Sequence, residues 1–153
     1  MEYWIIGQML KEGLDVYVPL VDDFGIDAVV RKANNTFIEV QIKARSTRVK
    51  DGNSALFAAI LHPEVRENYY FIFHSEILQT NWIMSSEEFI AEAYQTTGGK
   101  NAGLRTIGFN GRKKNKTTGV LEDYARPQYE KYRSNNFDRF KEITNLLLIP
   151  SDA

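Results

Sequence analysis

Three residues on two neighbouring stretches have the types and spacing of a hydrolytic centre. Asp27 stands in the apolar run Gly25-Ile26-Asp27-Ala28-Val29-Val30-Arg31, and Gln41 and Lys43 stand in Phe37-Ile38-Glu39-Val40-Gln41-Ile42-Lys43-Ala44-Arg45. The Asp27 carboxylate and the Gln41 side-chain oxygen are hard donors. Such donors suit Mg²⁺, which keeps several waters and takes the rest of its shell from a phosphate. An ion held there acidifies a bound water and neutralises charge growing on the phosphate. An adjacent ammonium, here Lys43, orients that water or stabilises the developing charge. Together these are parts for hydrolysing a phosphodiester. An aspartate in so apolar a run needs a reason; the competing reading is the ordinary polar face of a two-stranded ribbon. Glu39 shares the face of Gln41 and Lys43 but lies two residues away along a strand, roughly 6.5–7 Å. It is expected to be accessory or structural.

A hairpin is the element that would bring these groups together. From 37 to 44 the side chains alternate, with Ile38, Val40, Ile42 and Ala44 on one side and Glu39, Gln41 and Lys43 on the other, the period of two of a strand. A strand over 26–32 precedes it, and Ala33-Asn34-Asn35-Thr36 supplies asparagines that tolerate a left-handed turn. Upstream, 2–11 reads as a helix burying Tyr3, Ile6 and Leu10, with Gly13 as its stop. Val16, Val18 and Leu20 alternate as a further strand that Pro19 confines to an edge or an end. Residues 22–25 read as a turn.

Downstream, 54–61 (SALFAAIL) reads as a helix, with a strand as the alternative for so short a run. Residues 69–74 (YYFIFH) form a buried aromatic strand, and 81–84 a short strand. Ser85 and Glu88 have capping-box spacing and open a helix to about 94. Residues 104–109 read as a strand. A last helix is expected over about 136–147, burying Phe137, Phe140, Ile143 and Leu147. His62, His74, Trp4, Trp82 and the cluster Tyr69, Tyr70, Phe71 and Phe73 are expected to pack rather than to react. The order helix, strands, helix, strands, helix predicts a mixed α/β sandwich around a central sheet.

The 153 residues suit one domain with a real core. A core over about 1–95 would be followed by a glycine-rich segment, 96–119, and the C-terminal helix. At 43% hydrophobic and 25% charged the chain reads as globular. It has no cysteine, which excludes disulfides and thiolate metal sites. No apolar run approaches a membrane span, and the first residues lack the features of a signal peptide. The expected location is therefore cytoplasmic, with no membrane partner. Segment 96–119 holds six of the ten glycines and six basic residues, Lys100, Arg105, Arg112, Lys113, Lys114 and Lys116, with no acid. The remaining chain then has 13 basic residues against 20 acidic ones. A solvated loop is the plain reading of such a run; phosphate contact is the alternative.

Gly25-x-Asp27 followed by Gln41-x-Lys43 at the end of a strand resembles the PD-(D/E)XK nuclease superfamily, in its branch of Mrr-like restriction endonuclease domains. In that branch the acidic residue before the lysine is often glutamine. The resemblance covers 1 to about 90. It implies a restriction-endonuclease-like α/β fold, a mixed central β-sheet flanked by helices. It also implies a metal-dependent nuclease acting on DNA, with Mg²⁺ or Mn²⁺ held by Asp27, Gln41 and the backbone carbonyl of Ile42. Lys43 would assist the attacking water, and Glu2 would help from the first helix. No proline stands before Asp27, and glutamine in place of an acid predicts weaker metal binding. Arg45, Arg48 and the basic residues of 100–116 would meet the phosphate backbone. Nucleases of this fold often pair to cut two strands, so a homodimer is an expectation of the resemblance. Two other readings remain open: a non-catalytic module that binds nucleic acid or a partner, and a protein–protein element whose basic loop meets an acidic partner.

Overall fold

The computed structural model describes residues 1–21 and 24–144. Its elements run α1 (Glu2–Lys11), β1 (Val16–Tyr17), β2 (Ala28–Arg31), β3 (Phe37–Arg45), β4 (Leu56–Ile60), β5 (Tyr69–Ser75), β6 (Thr80–Ser85), α2 (Ser86–Glu92), β7 (Tyr94–Gln95), β8 (Arg105–Gly108), β9 (Asn110–Lys114), β10 (Leu121–Ala125), a 3-10 turn (Pro127–Tyr132) and α3 (Asp138–Ile143). The central sheet has the order β1-β2-β3-β5-β6. Only β3 and β5 are parallel; the other pairs are antiparallel. This is the expected mixed central sheet flanked by helices.

The alternation along β3 separates two cores. Ile38, Val40 and Ile42 join Ala28, Val30, Ile72 and Ile83 against α1 and α3. On the opposite face Phe71, Phe73, Trp82 and Met84 pack with Phe57, Phe89, Ile107 and Phe109. Gln41 and Lys43 open on that second face, in register with Phe71 and Phe73 of β5. They sit where the aromatic core gives way to solvent, which makes a polar row tolerable there.

α1 has the expected bounds, and Gly13 follows it at φ 85°. Its buried stripe differs: Ile5, Ile6 and Met9 face the core, while Tyr3 and Leu10 are 76% and 53% exposed. The capping box of Ser85 and Glu88 is formed in both directions, but α2 ends at Glu92, and β7 begins at Tyr94. β1 is shorter than expected, and Pro19 lies beyond its end.

Segment 54–61 is not a helix. It contains β4, which pairs with β8 in a second, three-stranded sheet ordered β4-β8-β7. Between Phe57 and Ile60 the register slips by one residue, and Ala59 sits at φ 56°. Such a bulge inserts one extra residue into the strand. It turns Phe57 and Ile60 to the same buried side at a spacing of three, which imitates the helical period. Segment 96–119 supplies β8 and most of the β9–β10 hairpin, and its Ile107 and Phe109 are buried. Phe137 and Phe140 are buried in or beside α3, as expected; Leu147 lies outside the described residues.

Candidate active site

The hairpin positions Asp27 by letting β2 end early. The β2–β3 ladder stops at Ala28 opposite Val40. Asp27 still donates its N–H to the Val40 carbonyl at 2.8 Å, and its Oδ2 accepts the Ile42 N–H at 2.6 Å. The side chain thus takes the place that a backbone carbonyl of β2 would have filled. This fixes the carboxylate at the peptide between Gln41 and Lys43. In a strand the N–H and C=O of one residue leave by the same edge, so the Ile42 carbonyl projects on Asp27's side of β3. Just upstream, Gly25 holds φ 68°, a conformation that glycine adopts without a side-chain penalty.

Gln41 and Lys43 open into a hollow of about 500 Å³, walled also by Gly25, His62, Arg66 and Tyr69. Among the described residues Lys43 has no hydrogen-bond or ion-pair partner. The Tyr69 hydroxyl lies 2.5 Å from the Gly25 carbonyl and 3.1 Å from Gln41 Oε1. Burial pushes this phenol up to about 12; Arg66 opposes the shift, and Asp27 and Glu39 add to it. Arg66 braces the wall. It donates to the Phe24 carbonyl at 2.7 Å and to Glu39 Oε2 at 2.8 Å, and lies 4.0 Å above the Tyr69 ring. Glu39 is therefore engaged in holding the wall. His62 is buried, with Nε2 2.6 Å from Ser86 Oγ. Burial, then Arg66 and Arg105, lowers its pKa to about 4, which keeps it neutral at pH 7.

Asp27 also borders a second hollow, of about 320 Å³, with Glu2 of α1, Val18 and Ile26. The four residues are thus divided: Glu2 and Asp27 line one hollow, Gln41 and Lys43 the next, and the Asp27–Ile42 bond joins the two. Among the described residues no three His, Cys, Asp or Glu side chains gather as a metal cluster. The donors that Asp27, Gln41 and Ile42 would offer an ion are instead one carboxylate, one amide oxygen and one peptide carbonyl. All are hard oxygens, which match Mg²⁺ or Mn²⁺ and not a softer ion. The site also has a cradle: a Cβ added to Gly25 would come 3.1 Å from both Gln41 Nε2 and the Tyr69 oxygen. Glycine leaves that space open. The residues therefore fit an ion that keeps much of its own water.

The expected phosphate contacts separate into two groups. Arg105 is 8% exposed and donates to the His62 carbonyl at 2.8 Å; it holds the second sheet and is withdrawn from the surface. Arg45 donates to the Leu56 carbonyl at 2.6 Å, with its guanidinium near the Phe57 ring. Arg48, Lys100, Lys113, Lys114 and Lys116 are exposed. Across the β9–β10 hairpin, Asp123 faces Arg112 and Glu122 faces Lys113, and Arg112 pairs with Asp123 at 3.0 Å. The acids absent from segment 96–119 are supplied by the strand that follows it.

Tyr69 and Arg66 had no signal in the sequence beyond an aromatic and a cation near an apolar run. Their role follows from the parallel register that places Glu39 beside Tyr69. His62, His74 and Trp82 are buried as expected, whereas Trp4 is 54% exposed beside the His74 ring.

No family model matches the chain, and no curated protein matches it. Its structure is similar to that of a bacterial homing endonuclease, I-Ssp6803I, with a TM-score of 0.54 and 16% sequence identity over 99% of this chain and 93% of that one. The likeness spans nearly the whole chain, and at this identity it shows the fold alone, which the chain shares with that endonuclease.

Proposed function

We propose that this protein is a metal-dependent DNA endonuclease with a centre of the PD-(D/E)XK type, in the glutamine variant of the Mrr-like branch. The observation that carries this reading is the Asp27 carboxylate bonded to the Ile42 N–H, between Gln41 and Lys43, in a chain that shares its fold with an endonuclease. Asp27, Gln41 and the Ile42 carbonyl would hold Mg²⁺ or Mn²⁺. Such an ion, when bound, makes a water nucleophilic near neutral pH and offsets charge on the phosphate. Lys43 has no competing partner among the described residues. It is disposed to donate to the attacking water or to a phosphate oxygen as charge develops. Glu2, across the neighbouring hollow from α1, would bind outer-shell water. Arg48, Lys100, Lys113, Lys114 and Lys116 would hold the DNA backbone through salt-sensitive contacts.

The test is nicking of supercoiled plasmid in Mg²⁺ or Mn²⁺, with EDTA, Asp27→Asn and Lys43→Ala as controls. Metal-dependent nicking that EDTA abolishes and both substitutions depress is the expected result. Intact DNA with wild-type protein in both metals contradicts it. The presence of a single carboxylate among the proposed ligands favours one second reading, a nucleic-acid-binding module without hydrolysis. Salt-sensitive DNA binding unchanged by Asp27→Asn, without cleavage, would mark that module.

A further inference from the structure

The Tyr69 hydroxyl has one proton and two acceptors beside it. A phenol donates one hydrogen bond and accepts others. The Gly25 carbonyl, at 2.5 Å, takes that proton, which leaves the phenol oxygen facing Gln41 Oε1 at 3.1 Å with no proton between them. Turning the Gln41 amide by half a revolution exchanges its O and NH₂ at nearly equal shape. The NH₂ group then donates to the phenol oxygen, and both contacts are satisfied. The amide oxygen moves to the side where the nitrogen stood, against the Gly25 cradle.

We infer that Tyr69 is a positioning residue: its hydroxyl, committed to the Gly25 carbonyl, holds the Gln41 NH₂ group and thereby turns the Gln41 oxygen toward the Gly25–Asp27 turn, where a divalent cation would meet it. The inference rests on the proposed Asp27–Gln41 cation site. It explains how glutamine serves where a carboxylate is usual. A carboxylate presents oxygen on both sides, whereas an amide needs a neighbour that selects its orientation. Tyr69 is 2% exposed, so its hydroxyl is shielded from water that would compete for the Gly25 carbonyl. Its ring also stacks 5.2 Å from His62, so a purely packing role is the alternative, and that alternative is indifferent to the hydroxyl.

The test uses the full chain and five proteins: wild type, Asp27→Asn, Tyr69→Phe, Gln41→Glu and the double variant of the last two. Mn²⁺ affinity is measured by calorimetry without DNA, and the Gln41 side-chain amide resonances are followed by NMR. Tyr69→Phe should weaken Mn²⁺ binding about tenfold, the lower end for an outer-shell partner, and should shift the Gln41 NH₂ signals. In the Gln41→Glu background the same substitution should change affinity less than about twofold, because either carboxylate oxygen serves. An equal loss in both backgrounds, or no loss in either, overturns the inference. Mn²⁺ binding that disappears in Asp27→Asn but ignores Tyr69→Phe overturns this inference alone. Wild-type protein that binds no Mn²⁺ overturns the endonuclease reading and the inference together.

Discussion

Two polar hollows in this molecule put their charges to opposite use. The larger, about 580 Å³, is lined by Glu88, Lys131, Tyr132, Asp138 and Arg139. Its charges are closed on one another. Arg139 grips both oxygens of Glu88 at 2.5 Å and also donates to the Ile83 carbonyl at 2.9 Å. Glu88 in turn accepts the Ser85 N–H of the capping box at 3.1 Å. Nearby, Lys141 pairs with Glu12 at 2.6 Å. The hollow of Gln41 and Lys43 is smaller and has a braced wall, yet its ammonium has no partner among the described residues. A network that satisfies itself ties α2 to α3, whereas one left incomplete beside a fixed carboxylate is equipped to receive a ligand.

The contrast can be broken most sharply at its open end. Lys43→Ala should reduce nicking by about a hundredfold or more, while thermal stability stays within about 0.5 kcal/mol, because no partner is stranded. Asp27→Asn should lose activity similarly and keep its fold, since the amide oxygen still accepts the Ile42 N–H. A large stability loss in Lys43→Ala would show that the lysine holds structure after all.

The closed end should respond in the reverse sense. Arg139→Ala strands Glu88 and should cost about 2 kcal/mol in urea unfolding, with specific activity per folded molecule unchanged. Burial alone would raise the Glu88 pKa, but the bonds from Arg139 and the Ser85 backbone hold it below the ordinary value. This contribution is present above the unfolded carboxylate range and is lost as the pH falls through the lowered folded value. The deficit of Arg139→Ala should therefore shrink in acid.

A smaller effect is expected at His62, in the wall of the hollow of Gln41 and Lys43. Its folded pKa, about 4 against 6.5, favours the neutral ring. Its contribution is complete above about pH 6.5 and is lost as the pH falls toward 4. Unfolding midpoints between pH 7 and 4 should fall less steeply in His62→Gln than in wild type. The mildest change is expected on the β9–β10 hairpin. Lys113→Gln with Lys114→Gln should reduce the salt slope of DNA binding by about two and leave unfolding unaltered.

The features legible in the sequence are local ones. The β2–β3 hairpin could be read because its side chains alternate and Asn35 supplies the positive φ its turn needs. The capping box could be read because its two partners lie three residues apart. What escaped depends on distant pairing or on a broken period. The bulge at Ala59 gave β4 a helical spacing. β9 and β10 carry too few apolar residues to announce themselves as strands. Leu10 fits the helical period of α1 but faces outward, because the seam runs through Ile5, Ile6 and Met9. In the site, Asp27, Gln41 and Lys43 stood out by type. Tyr69 did not, because only the parallel register of β3 and β5 brings it beside Gln41. Arg105 stood out and proved structural, since burial is decided by β4 and β7 on either side of it.

The proposed endonuclease stands on a divalent cation held by Asp27, Gln41 and Ile42 at the end of the hairpin. The most direct measurement is an anomalous difference map from crystals grown with Mn²⁺. The expected result is a peak at about 2.0–2.2 Å from an Asp27 carboxylate oxygen, as hard octahedral ions require, with the Gln41 side-chain oxygen and the Ile42 carbonyl in the same shell. A Mn²⁺ peak elsewhere with this position empty, or no peak at a concentration that supports nicking, would contradict it.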